Sequence, residues 1–527
     1  MKTFIVAFLI SIAFIFTFSG WSSPNGNSIF HNADTGIIIN LKEMKYLGSV
    51  DERYQSYNVE MVEVVGGEFW RPYKTMDSLP SSASGFDFSN RDLMFRKLPP
   101  VNLSDKRLMN LAKALAPAYV RVSGSWANAV YFQNNDSAQA KAPKGFANTL
   151  TRNQWKGVID FIKATNSKLV TSFAVSKGVR DANGVWTPEE AQKIVSYTKS
   201  LGGKIAGAEL FNEPTIPIAG GVDTNYNGQN FAQDVAVFRR WAKNEVPDML
   251  LIGPGSTAEG IPGQSFERII KQFVTTDSLM SARPKPLFDI FSYHYYGAMS
   301  MRAVRSGPFS IKAENALDPE WLQRTNVVAD YYIGLRDKYN PGKPLWVTET
   351  AEASQGGDPF AATYLDCFRY LYQLGSLAKK GIQVVMHNTL AASEYSLIDQ
   401  DTHLPKPDYW AALLWAKLMG TKVYEAGKGA QGVYLFSHNM KGRNGGITLL
   451  VLNTNKESTT INIPANGEQY TLTSNELHSD TVKLNGQELK LSDNEMLPTI
   501  KGKKANAGNV KLPSESITFI TFENAGK

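Results

Sequence analysis

Between about residues 57 and 415 the chain alternates short apolar runs with amphipathic helical stretches. The runs are "YNVEMVEV" (57–64), "AYVRVSG" (118–124), "KLVTSFAV" (168–175) and "IAGAELF" (205–211), then "MLLIGPG" (249–255), "FDIFSYH" (288–294), "PLWVTET" (344–350) and "IQVVMHN" (382–388). That makes eight. Each is nearly continuously apolar, as a strand covered on both faces must be; a strand with one wet face would alternate instead. Eight strand–helix units in succession specify an α/β fold, the (β/α)8 barrel. The competing architecture, a doubly wound open sheet, ordinarily carries a phosphate-cradling glycine loop after its first strand, and the chain has neither GxGxxG nor a Walker sequence.

The helical stretches carry start and stop signals. "TPEEAQKIVSYTKSLGG" predicts Thr187 as N-cap, Pro188 at the first helical position and Glu190 closing a capping box. "DPFAATYLDCFRYLYQLGSLAKKG" predicts Asp358 as cap, Pro359 next, and Gly381 beyond a basic last turn. After Thr421 the pattern changes to short strands such as "GVYLFSH", "GITLLVLN" and "SITFITFEN" in a Gly/Asn/Pro-rich background, with an Asn485-Gly486 hairpin turn. This reads as a C-terminal all-β sandwich. "TGIIINLKEM" (35–44) is strand-like and is expected to add a strand to it. The expected organisation is a leader over 1–23, an N-terminal segment over 24–47, the barrel over 48–418 and the sandwich over 419–527.

The first residues, "MKTFIVAFLISIAFIFTFSGWSSP", combine Lys2, an apolar stretch to Phe18 and small residues after it, the pattern of a secretory leader; an uncleaved membrane anchor is the alternative. A secreted or periplasmic protein is therefore expected. The single cysteine, Cys367, excludes an internal disulfide and sits in a helical pattern that places it in the core. The net charge of +6 is mild, and the densest basic stretch is "KGKK" at 501–504, so no nucleic-acid partner is expected. No stable membrane insertion is expected after leader removal, and the chain is expected to be a monomer.

In such a barrel chemistry lies at the C-terminal strand ends. Glu213 follows the fourth run and Glu349 ends the seventh, so the two can face each other across the mouth. Two carboxyl groups flanking a sugar are what glycoside hydrolysis requires, at about 5–5.5 Å for retention of configuration. Asn212 can bond the sugar's 2-hydroxyl, while Trp346 and "SYHYYG" supply rings and phenols for packing the sugar and holding Glu349 ionised. Plainer readings stand beside these. Glu213 could cap a loop, Asn212 form an Asx turn, and His294 support Glu349 instead of touching substrate; Glu352 and Glu394 read as rim charges. The six histidines show no HxxxH or HxH spacing, so no metal site is expected, and no GxSxG elbow is present. A glycan-binding protein on an inactive scaffold is the non-enzymatic alternative.

"AELFNEP", "LWVTETAEASQGG", "SYHYYG", "YVRVSGSWANAVYF" and, with the most specific spacing, "SEYSLIDQDTHLPKPDYWAALLWAKLMGTKV" resemble glycoside hydrolase family 79, the heparanase-like β-glucuronidases. The resemblance covers nearly the whole chain after the leader and includes the C-terminal "VKLNGQELKLSDNEMLP" and "LPSESITFITFEN". It implies Glu213 as proton donor with Asn212 as its partner, and Glu349 as nucleophile. Gly356 and Gly357 would meet a uronate carboxylate with their N–H groups, and Tyr395 would contact it as well. His294, Tyr296, Ser125, Trp126 and Glu60 would line the site, with no cofactor. The implied partner is a glucuronic-acid-containing glycan: a glycosaminoglycan, an arabinogalactan or a small β-glucuronide. Endo-cleavage of hyaluronan or heparan sulfate, or action on neutral β-glycosides, are the alternatives within enzymes.

Two departures bear on this. "QNNDSAQAKAPKGFANTLT" is too short to hold the segment excised from animal members, so an active single chain, of bacterial type, is expected. "STAEGIPG" after the fifth strand, and Trp126, stand where animal members are basic, which weakens the case for a sulfated substrate.

Overall fold

The eight apolar runs become eight parallel strands that close on themselves: β1 (Gln55–Glu60), β2 (Tyr119–Ser123), β3 (Lys168–Ser172), β4 (Ile205–Glu209), β5 (Leu250–Ser256), β6 (Ile290–Met299), β7 (Leu345–Ser354) and β8 (Val384–His387). Each pairs with its sequence neighbours, and β8 returns to β1 through Val385↔Gln55 and His387↔Tyr57. The computed structural model describes residues 36–76, 91–268, 270, 272–304 and 306–527; the leader expected over 1–23 lies outside the described residues. Among the described residues no helix is long and apolar enough to cross a membrane.

Tyr119, Val170, Ile252, Ile290, Trp346, Val384 and Met386 form one cluster within the barrel. Trp346 belongs here. It is buried against Tyr119, with ring centroids 4.9 Å apart, below the mouth, so the expectation that it packs against a sugar is corrected: alternation along β7 turns it into the barrel filling.

The helices that follow the strands are α1 (Lys106–Ala114), α2 (Arg152–Ala164), α3 (Glu189–Ser200), α4 (Gly228–Glu245), α5 (Thr276–Ser281), α6 (Pro319–Tyr339), α7 (Tyr364–Lys379) and α8 (Pro407–Leu418). Two predicted caps are not formed. At α3 the cap position is Pro188; the Thr187 hydroxyl donates to the Val179 carbonyl instead, and Glu190 accepts from the Phe132 N–H (3.2 Å). At α7 the cap is Thr363, and Asp358 instead accepts from the Met301 N–H. At α3 a carbonyl takes the Thr187 hydroxyl and at α7 a distant N–H takes the Asp358 carboxylate, so neither side chain is left to cap. The stop at Gly381 (φ +79°) is as expected. Cys367 is fully buried in α7.

α7 lies between barrel and sandwich, and its Gly375 lets the Phe436 ring approach so closely that an added Cβ would stand 2.3 Å from it. The larger sandwich sheet runs Tyr46–Ser49, Met419–Tyr424, Val433–Met440, Ile447–Asn453, Ser516–Phe522, Gly467–Thr473, Lys483–Leu484 and Gln487–Glu488. The smaller one pairs Ile37–Ile38, Thr459–Ile463 and Gly508–Leu512. Segments before the barrel thus join both sheets. Asn485 and Gly486 turn the 483–488 hairpin with φ of +53° and +87°, as that two-residue turn demands.

Candidate active site

The strand β4 ends at Glu209, and the chain then turns sharply. Asn212 is fixed as if by a further strand: its N–H donates to Asn128 Oδ1 (3.0 Å) and its carbonyl accepts from Asn128 Nδ2 (2.9 Å). Glu213 follows in the left-handed region at φ +59°, a conformation that costs a residue with a Cβ and persists only where the surroundings impose it. Its side chain reaches the mouth, where Oε1 lies 3.0 Å from His294 Nδ1.

Across the barrel Glu349 projects from β7, in register with His294 on β6. Its Oε1 accepts from the Tyr296 hydroxyl (2.7 Å) and its Oε2 from Arg121 Nη1 (2.8 Å). One oxygen of each glutamate and a ring nitrogen of His294 all lie within 4.8 Å of one another. Burial alone would raise the Glu349 carboxyl; the nearby His294 ring, the Arg121 charge and the two hydrogen bonds outweigh it and hold the group below its ordinary value.

Arg121 is the hub beneath both acids. Its Nε and Nη2 donate to Glu209 Oε2 (2.9 and 2.7 Å), and Nη2 also reaches Asn212 Oδ1 (2.7 Å) and His294 Nε2 (3.2 Å). The His294 ring thus lies between the guanidinium and the acid, Nε2 toward Arg121 and Nδ1 toward Glu213. Glu209 is completed by Thr348 (2.7 Å) and Ser292 (3.3 Å). Glu213, His294 and Glu349 also have the spacing of a three-donor cation site, but the buried Arg121 charge already occupies the inner side of Glu349 and lies against His294 Nε2.

A second network continues from Tyr296. Asn388 Nδ2, at the end of β8, lies 3.0 Å from the Tyr296 hydroxyl, 3.1 Å from that of Tyr395 and 2.9 Å from Glu60 Oε1. Burial first, and then the Glu349 charge, push the Glu60 carboxyl up to about 7.

Gly356 and Gly357 have φ of +85° and +82°. An added Cβ would stand 2.7 Å from the Trp70 ring at Gly356, and 2.9 Å from Ala361 and 3.2 Å from the Tyr395 ring at Gly357. Their carbonyls are tied down: Gly356 O accepts from the Glu394 N–H (3.0 Å), Gly357 O from Arg302 Nη1 (2.7 Å) and the Tyr73 hydroxyl (3.1 Å). Among the described residues their N–H groups donate to no acceptor. The Tyr395 ring packs beside this turn.

The remaining expected residues lie further out. Ser125 is exposed, and Trp126 packs over Gly67 beside Val62, Phe69 and Ala392 in a small cluster at the rim. The rim-charge reading of Glu352 needs correction, whereas Glu394 stays partly exposed. Glu352 is fully buried, one oxygen accepting from the Asp358 N–H (3.1 Å), and Glu394 accepts from the Tyr73 N–H (2.7 Å) as part of the wall. Sequence reasoning passed over Arg121, Glu209, Asn388 and Arg302. A charged residue inside an apolar run, such as Arg121 in "YVRVSG", was the available signal, because such a residue requires a buried partner. A cavity of about 660 Å³ between the outer face of this wall and the sandwich hairpin is lined by neither carboxylate of the central pair.

Residues 75–375 match the family model described as glycosyl hydrolase family 79, N-terminal domain. Heparanase of Bos taurus is 27% identical over 485 residues, covering 80% of this chain and 85% of the bovine protein. Baicalin-beta-D-glucuronidase of Scutellaria baicalensis is 26% identical over 470 residues, covering 80% of this chain and 83% of that protein. Among solved structures, a 4-O-alpha-L-rhamnosyl-beta-D-glucuronidase from Fusarium oxysporum superposes with a TM-score of 0.59 at 13% identity, covering 92% of this chain and 100% of that one. A family 51 arabinofuranosidase from Xanthomonas axonopodis pv. citri gives 0.58 at 16%, over 92% and 98%. These superpositions establish the barrel-and-sandwich fold they share, and with the family match over more than half its length, the chain belongs to glycosyl hydrolase family 79 and is a glycoside hydrolase.

Proposed function

We propose that the enzyme is an exported retaining β-glucuronidase. The observation that carries this reading is the pair Glu213 and Glu349, with oxygens within 4.8 Å across the mouth and different surroundings. That approach suits direct attack on the sugar, for which carboxyl groups about 5–5.5 Å apart are needed.

Glu349, held ionised by Arg121 and Tyr296, attacks the anomeric carbon. Glu213 gives its proton to the glycosidic oxygen as the C1–O bond breaks, and the leaving group departs as the neutral alcohol. Water, deprotonated by Glu213, then displaces Glu349 from the glycosyl ester, and two inversions give net retention. Asn212, its amide oxygen fixed by Arg121, presents its nitrogen to the 2-hydroxyl. The uronate carboxylate sits at the Gly356–Gly357 turn, where two backbone N–H groups are free to donate, with the Tyr395 hydroxyl beside it. The relatives named for heparanase and glucuronidase activities support the glucuronide assignment, and the leader over 1–23 supports export.

The test is intact mass and peptide mapping after exposure to a glucuronic-acid-configured cyclophellitol epoxide. A single adduct on Glu349 is expected. An adduct only from the glucose-configured reagent would overturn the uronate assignment, and none from either would overturn the nucleophile.

A further inference from the structure

Two buried acids flank the Gly356–Gly357 turn, Glu352 before it on β7 and Asp358 directly after it, and neither is exposed at all. One oxygen of Glu352 accepts from the Asp358 N–H (3.1 Å), which closes the turn on itself. One oxygen of Asp358 accepts from the Met301 N–H, which ties the turn to the chain leaving β6. Such ties matter here, because Gln355, Gly356 and Gly357 all have positive φ, at +54°, +85° and +82°. The other oxygen of each acid, Glu352 Oε1 and Asp358 Oδ2, is buried and meets no donor among the described residues. Nearby cations do not cover both charges. Arg369 is committed to Asp366, at 2.6 and 2.9 Å, with Asp408 4.0 Å away. Arg302, whose charge favours ionised Asp358, is shared among the Gln355 and Gly357 carbonyls and Glu394.

Resting on the reading that the substrate carboxylate sits at this turn, we propose that Glu352 and Asp358 hold one proton between them and that this pair positions the turn for an anionic substrate. Two carboxyl groups buried side by side cannot both ionise. A single proton supplies the donor that both orphaned oxygens lack, and a hydrogen bond from the Glu352 side chain does favour the ionised form of Asp358. Burial, and then the Asp358 charge, push the Glu352 carboxyl well up, so the proton belongs to Glu352. With it in place every oxygen of the pair is engaged. The pair then carries one negative charge, where two would stand without a free counterion next to a turn offered to an anion. Neither acid touches the substrate; both act through the backbone of Gly356 and Gly357.

The experiment uses the fact that an amide can replace either acid but not both. Glu352→Gln presents an N–H to Asp358, and Asp358→Asn presents one to Glu352. Each conservative variant should therefore hold KM for 4-nitrophenyl β-glucuronide within about threefold of wild type. The double variant Glu352→Gln/Asp358→Asn sets two NH2 groups face to face and should raise that KM at least about tenfold, with kcat within about threefold. A double variant no worse than the singles, or Glu352→Gln alone as damaging as the double, overturns the shared proton. A fall in kcat as large as the rise in KM overturns the positioning role. Should the double variant not fold, infrared difference spectra of wild type against Glu352→Gln at pH 7 decide: a protonated-carboxyl band lost in the variant supports the proton, and no lost band overturns it. Wild-type cleavage of the β-glucoside as efficient as that of the β-glucuronide overturns the uronate reading instead, and the same band still decides the proton.

Discussion

On the β7–β8 side of the mouth, polar groups hold one another in a fixed mesh: Arg302 clamps the carbonyls of Gly357, Gln355 and Arg71, Glu394 receives the Tyr73 N–H, and Asn388 ties Glu60 to two tyrosines. On the β4–β6 side, beyond Glu213, the wall is mixed: Ile216, Ala258, Ile261, Phe266 and Met299 pack against one another, with Thr257 and Glu259 among them. Directional bonds fix where an atom must be and reject a ligand that lacks it; packed surface rewards size and tolerates variety. A hydrolase that is strict about one half of its substrate and permissive about the other would be built this way.

The largest effects should fall on the two glutamates that divide these sides. Glu349→Gln should lower kcat/KM on every glucuronide by at least about 10⁴-fold. Glu213→Gln should cost about 10²–10⁴-fold on alkyl glucuronides yet less than about tenfold on the glycosylation step of a dinitrophenyl glucuronide, which departs without a proton. Equal losses on both leaving-group types, read by pre-steady-state kinetics, would remove Glu213 from the acid role.

Next comes the mesh itself. Arg302 is fully buried, with its guanidinium 3.9 Å over the Tyr73 ring, and it holds the Gly357 carbonyl. Arg302→Lys, which keeps charge but loses the fork, should raise KM for glucuronides about tenfold with kcat within about threefold. An equal loss on the corresponding glucosides would reduce Arg302 to a general packing role.

The smallest effects compare one buried acid on each side. Burial raises both Glu60 and Glu259 to about 7. Each folded-state pKa lies above the ordinary 4.5, so the folded protein binds these protons more tightly than the unfolded chain. The associated stability is full below about pH 4.5 and is lost as pH rises through 7. Glu259→Gln should remove about 2–3 kcal/mol of the decline in unfolding free energy between pH 5 and 8, measured by urea titration, without moving the pH profile of kcat/KM. Glu60, beside Glu349, should act on rate as well: ionising it sets a second negative charge against a uronate. Glu60→Gln should therefore shift the alkaline limb of kcat/KM upward in pH. An unmoved limb would remove Glu60 from the pH dependence of the rate.

The barrel was legible because burial on both faces erases alternation, and eight such runs admit few other closures. Glu213 and Glu349 were legible for the same reason, since strand ends fix what faces the mouth. Trp346 was misplaced because alternation decides whether a residue fills the barrel or lines its mouth, and the apolar run conceals the phase. The caps at Thr187 and Asp358 failed because the Val179 carbonyl took the Thr187 hydroxyl, the Phe132 N–H took Glu190, and the Met301 N–H took Asp358. Arg302 could not be found from its neighbours, because its partners come from the loops after β1 and β7.

The strands before the barrel have a consequence for how the molecule comes into being. Ile37 pairs with Ile461, and Tyr46 with Tyr424, so the opening segment waits for partners that are synthesised some four hundred residues later. Seven of the eight barrel pairings join strands adjacent in sequence, whereas both pairings of the opening segment reach to the far end of the chain. The sandwich is in effect a clasp: cut from the barrel and produced alone, it would lack a strand in each sheet and expose two unpaired edges to other chains.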